Sequence, residues 1–132
     1  MRKLLGTGVG FAAMLVIACD GGPSPKAGEI VMELVNPDQP LGALVFTVTS
    51  AESFTVDSVT STCVDCRLFT LRRSERDVRA VITGQLAVGP LIRIAVSDVK
   101  TPAAYGAVVI EAAAPDFQLV SLTRIGLEIL EQ

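Results

Sequence analysis

The chain contains no histidine, no tryptophan, a single tyrosine (Tyr105) and three cysteines in 132 residues. Each scarcity removes a class of function. Without histidine there is no His-based catalytic triad, no His general base and none of the commonest metal ligand. Without Trp, and with one Tyr, the aromatic platforms on which sugar-binding surfaces usually rest are missing, as is any aromatic series for stacking bases. The net charge is −3, with 11 Lys and Arg against 14 Asp and Glu. No basic excess is available to follow a phosphate backbone, so no nucleic-acid partner is expected. What the chain has instead is aliphatic bulk: half of its residues are hydrophobic. That is the composition of a folded domain and not of a disordered tail, and the length suits one domain.

The N-terminus has its own pattern. Arg2 and Lys3 are followed by an uncharged run, Leu4 to Ala18, ending Val16-Ile17-Ala18-Cys19. A transmembrane helix needs about 20 apolar residues, and this run is shorter and carries Gly6, Gly8 and Gly10. The order basic, apolar, small is that of a secretory signal, and a cut after Ala18 is compatible with it. The last four residues resemble the lipobox of bacterial lipoproteins. That resemblance implies a diacylglycerol on the Cys19 sulfur, cleavage in front of it and acylation of the new amine. Two or more acyl chains anchor stably where one binds only marginally. The expectation is a signal peptide over 1–18, a lipidated Cys19 and a protein held on a membrane of the bacterial cell envelope, facing periplasm or exterior. Arg2 and Lys3 are the only charges in 1–18, so cleavage leaves nine basic against 14 acidic side chains, a net charge of −5.

Asp20 to Ala27 reads Asp-Gly-Gly-Pro-Ser-Pro-Lys-Ala. Two Gly, two Pro and a Ser suit neither a helix nor a central strand, so residues 19–27 are read as lipidated Cys and flexible tether, with the domain over 28–132. Eight residues of flexible coil span roughly 16 Å.

From Gly28 onward the pattern is β. Ile30, Met32 and Leu34 alternate with Glu29 and Glu33; Leu44, Phe46 and Val48 alternate with Thr47 and Thr49. Phe54–Thr60 is a less regular third run, and Arg67–Arg72 a fourth with Phe69 and Leu71 on one face. Ser74 to Asp77 is a polar turn. Val78, Ala80 and Ile82 mark a fifth strand against Arg79, Val81 and Thr83. Gly89-Pro90 opens a sixth, with Ile92, Ile94 and Val96 on one side and Arg93 on the other. Ala107–Ala113 is the seventh and Phe117–Thr123 the eighth. Ile125–Leu130 is a last apolar stretch suited to closing an edge, and Thr101-Pro102-Ala103-Ala104 suits one helical turn. Eight or nine short, β-branched runs separated by turn residues predict an all-β sandwich of the immunoglobulin-like kind. Val31, Val45 and Val81 fall on the outward side of their strands. They mark either a partner surface or a second face covered within the sandwich.

Two stretches carry a family resemblance. Gly42 to Val48 and Gly84 to Val96, the second a Gly-bounded, Leu-led strand after a valine-rich one, resemble strands of cohesin-type modules. The whole chain is similar to small bacterial lipoproteins with that fold. The resemblance implies a rigid sandwich of Greek-key-like topology with a role in protein or glycan interaction. It implies no chemistry.

Cys63-Val64-Asp65-Cys66 is the one motif with reactive potential. An exported pair usually forms a disulfide, here one closing a very small loop. A redox-active pair, half of a metal site and two free thiols remain as alternatives. Thioredoxin-like sites place the pair at a helix start, whereas these flanks read as strand and loop. A structural zinc site wants four Cys or His ligands, and no second pair exists. Asp57, Asp65, Asp98 and Asp116 lack the dense spacing of a calcium loop. Arg72, Arg73, Arg76 and Arg79 form the one basic cluster, interleaved with Glu75 and Asp77; anionic headgroups or internal pairing would satisfy it. The sequence therefore predicts no catalytic, cofactor or metal residues. It predicts a lipid-anchored, non-enzymatic interaction module, with a thiol-disulfide protein and a purely structural envelope lipoprotein as the other readings.

Overall fold

A computed structural model describes residues 24–130; the expected signal peptide and Cys19 lie outside them. Eight strands follow in order: β1 (Gly28–Val35), β2 (Leu41–Ser50), β3 (Val56–Ser61), β4 (Arg67–Ser74), β5 (Asp77–Leu86), β6 (Gly89–Val96), β7 (Tyr105–Ala113) and β8 (Gly126–Ile129). They form two four-stranded antiparallel sheets, β3-β6-β1-β8 and β4-β5-β2-β7. The predicted sandwich is the observed fold.

The alternation drives the packing. Ile30, Met32 and Leu34 from β1, Leu44, Phe46 and Val48 from β2, Val78, Ala80 and Ile82 from β5, and Ile92, Ile94 and Val96 from β6 are all buried between the sheets. Period-two placement of these side chains puts each strand's apolar set on one side of its sheet. Among the described residues no polar or charged residue is buried with them. The core is therefore dry, and its stability rests on apolar burial.

The two ends of the sandwich differ in construction. At the end where the chain enters, the Lys26 N–H donates to Asp98 Oδ1 and the Val99 N–H to the Lys26 carbonyl. Tyr105, at the start of β7, donates its hydroxyl to the Asp98 carbonyl and accepts from the Asp98 N–H. Its ring packs edge-to-face on Phe54, centroids 5.8 Å apart. The predicted helical turn is a short 3-10 turn over Pro102–Ala104. At the opposite end sit the β1–β2 turn, the Cys63–Cys66 loop, the β5–β6 turn and the long connection from Ala114 to Ile125.

One strand expectation is overturned. Residues 117–123 are not a strand. Pro115 and Asp116 form a tight turn in which the Phe117 N–H bonds the Ala114 carbonyl and Asp116 Oδ1 accepts the Gln118 N–H. Phe117 takes a positive φ of 69°, a conformation no strand contains. Only an isolated bridge, Ala113 to Leu119, ties this segment to β7. The apolar alternation of Phe117 and Leu119 faces solvent. The last stretch does close an edge: β8 pairs with β1 from Met32–Ile129 to Val35–Gly126.

Candidate functional site

The outward side chains of the two sheets can be laid out from the strand registers. On β3-β6-β1-β8, Thr60 lies opposite Arg93, which lies opposite Val31. Ser58 and Glu29 flank Ala95, and Glu33 lies between Pro90 and Glu128. Arg93 pairs with Glu29 at 3.4 Å. This face is polar and carries its charges in the open.

The face of β4-β5-β2-β7 is different. One row across the sheet runs Phe69, Val81, Val45, Glu111; the next runs Leu71, Arg79, Thr47, Val108; a third runs Arg67, Thr83, Ala43, Ala113. Phe69, Leu71 and Val108 are each at least 60% exposed. Leu119, also exposed, extends the apolar surface beyond Ala113 through its bridge. A shallow depression of about 140 Å³ lies among Ala43, Val45, Ala113 and Leu119, with Glu111 at its lip. Of the outward valines singled out in the sequence, Val45 and Val81 are therefore neighbours in the middle of this face. Val31 belongs to the opposite sheet and stands across from Arg93.

The polar atoms of this apolar face are poorly served within the chain. Thr47 Oγ1, Asp77 Oδ1 and Arg79 Nε are buried without a hydrogen-bond partner, and all three side chains project from this face. Thr47 and Arg79 are cross-strand neighbours at its centre. Asp77 has Arg73 at 3.8 Å. Such groups normally find partners, and leaving one unmatched costs about 1–3 kcal/mol. The Arg cluster splits accordingly: Arg73 leans on Asp77, Arg72 donates to the Asp57 carbonyl across the gap between the sheets and to the Ser74 carbonyl on its own strand, and Arg79 lies between Leu71 and Thr47. Sequence reasoning placed Phe69 and Leu71 together but could not tell which side of β4 the core would take. β4 is an edge strand, and it turns Leu68, Thr70 and Arg72 inward, opposite Ile82, Ala80 and Val78.

Cys63 and Cys66 are disulfide-bonded. They sit in the crossover from β3 to β4, which joins the edge strand of one sheet to the edge strand of the other. The Cys66 N–H bonds the Cys63 carbonyl, closing a turn. Ser61 Oγ accepts the Cys63 N–H and donates to the Cys63 carbonyl. Gly84 lies against the bridge: a Cβ there would meet Cys66 Sγ at 2.9 Å, and its φ of +142° suits glycine alone. The pair thus sits in a turn between strands, with no helix start beside it. The hollow next to it, lined by Cys63, Asp65, Gly84 and Gln85, holds one titratable side chain, Asp65. Among the described residues no three His, Cys, Asp or Glu side chains gather as a metal site would require. No described helix is long and apolar enough to cross a membrane.

Comparison with protein-family models, with curated proteins and with solved structures finds no match to this chain.

Proposed function

We propose that the chain is a lipid-anchored protein of the bacterial cell envelope whose sandwich is a non-catalytic interaction module, and that it engages a protein partner through the outer face of β4-β5-β2-β7. One observation carries this reading: that face exposes Phe69, Leu71 and Val108 around the half-buried Val45 and Val81, while the other sheet presents Glu29, Glu33, Glu128 and Arg93. Contiguous exposed apolar surface on one side of a domain is the usual mark of an interaction site. A glycan partner is the weaker choice, since Tyr105, the single tyrosine, is buried. The anchor rests on Val16-Ile17-Ala18-Cys19 and on the Gly- and Pro-rich tether. The resemblance of Gly42–Val48 and Gly84–Val96 to cohesin-type strands points the same way, toward recognition without chemistry. Cys63 and Cys66 are assigned a structural role, holding the β3–β4 crossover.

Two measurements test this. A photo-cross-linking residue at position 45 should capture a protein in the native membrane, and the same residue at position 60 should not; equal capture or none at position 45 overturns the binding face. Intact mass of the membrane-extracted protein should match residues 19–132 plus acyl chains. A mass that retains residues 1–18, or lacks lipid, overturns the anchor.

A further inference from the structure

The partner chemistry can be read from the charges left on that face. It carries the cations Arg67, Arg73 and Arg79 and the anions Asp77 and Glu111, of which Arg73 and Asp77 already face one another. The two charges set among the apolar side chains are Arg79, on β5, and Glu111, on β7. Neither makes an ion pair within the described residues. They lie two strands and one row apart, about 12 Å between backbones at ordinary strand spacings. That is too far for them to meet within one chain, yet each is the complement the other lacks.

We infer that this face is an isologous interface between two copies of the chain, packed sheet on sheet, in which Arg79 of each copy meets Glu111 of the other. The inference rests on the interaction-module reading and names its partner. A two-fold axis lying in the interface exchanges the two positions and passes between Val45 and Thr47, at the middle of the apolar rows. On a flat lattice of strands about 4.8 Å apart, the same axis carries Leu71 of one copy over the depression among Ala43, Val45, Ala113 and Leu119 of its partner. The strands of the two copies then cross at about 70°, nearer to orthogonal than to aligned sheet packing. The Arg79 guanidinium, which makes no ion pair within the described residues, gains a carboxylate. A closed two-fold contact of this kind uses up the face and stops at the dimer.

The footprint is modest. Four strands by about six residues cover roughly 400 Å² of each copy, near half of what a standard interface buries per partner. The dimer is accordingly weak, and confinement of both copies to one membrane by a short tether raises its occupancy through effective concentration.

The test uses the full chain in density-matched detergent, followed by sedimentation equilibrium, with circular dichroism confirming the fold of each variant. R79E places two acids on the face and E111R two bases; each variant alone should dimerise about 100-fold more weakly than the parent chain, because every charge pair occurs twice. The double variant R79E/E111R should regain the dimer. So should an equimolar mixture of the two single variants, which can pair only with each other. A parent chain that stays monomeric to about 500 µM, close to the millimolar end of the affinity scale, overturns the inference. So does a dimer that R79E and E111R leave untouched, or one that the mixture fails to restore. Capture of a different protein at position 45 together with a monomeric chain would overturn the inference while leaving the module reading intact; no capture and no dimer would remove both.

Discussion

The two sheets share one core and face the outside in opposite ways. Behind Phe46 and Met32 the packing is equally tight, both side chains being fully buried. In front, β1 alternates its core residues with Glu29, Val31 and Glu33, whereas β2 alternates with Ala43, Val45 and Thr47. A single period-two rule builds both strands, so the difference is not needed for folding. It even carries a cost on each side. Glu33 stands directly opposite Glu128 on the polar face, a like-charge neighbour that weakens the ladder. On the other face Thr47 and Arg79 hold buried atoms without partners. The comparison teaches that the inward positions specify the sandwich, while the outward positions are free to differ between the two sheets.

That separation can be broken at several depths. The largest effect is expected inside. F46A on β2 should destabilise the domain by about 3–5 kcal/mol, the range for a fully buried Phe, read from the midpoint of denaturant unfolding. F69S on β4, equally aromatic but outward, should shift the same midpoint by less than about 1 kcal/mol. A loss at position 69 as large as at position 46 would mean that the face is part of the core. An intermediate effect is expected at the crossover. Replacing Cys63 and Cys66 by Ser should cost at most about 2 kcal/mol, because the closed loop is very short; loss of folding would give the bridge a larger role than a local clasp. The smallest effect is expected on the polar face. R93Q removes an exposed pair with Glu29 and should change stability by under about 1 kcal/mol. A larger change would show that this face, too, is under structural demand.

Much of the sandwich was legible from spacing. β1, β2, β5 and β6 declare themselves because their inward sets, such as Ile30-Met32-Leu34 and Ile92-Ile94-Val96, recur at every second position, with Glu29, Thr47, Arg79 and Arg93 among the residues between. The segment 117–123 misled because Phe117 and Leu119 imitate that alternation. The competing information was local: Pro115 and Asp116 build a turn that sets Phe117 at positive φ, and turn chemistry prevailed over periodicity. The candidate face was only half legible. Val45 and Val81 were recognisable as outward, but their adjacency depends on the β2–β5 register, which no single strand encodes. The outward turn of Phe69 and Leu71 depends on β4 being an edge, where the inward side meets little to bury against. The Arg79 and Glu111 relation needed both registers at once.

The position of β1 has a mechanical consequence. The chain enters the domain at Lys26 and runs directly into β1, which is hydrogen-bonded to β6 on one side and β8 on the other. Its ladder bonds lie across the strand direction. A tension drawn along the N-terminal segment therefore loads two rows of bonds in shear together, so that they must fail as a group. Had the same segment led into an edge such as β4, a sideways pull would have unzipped one row bond by bond.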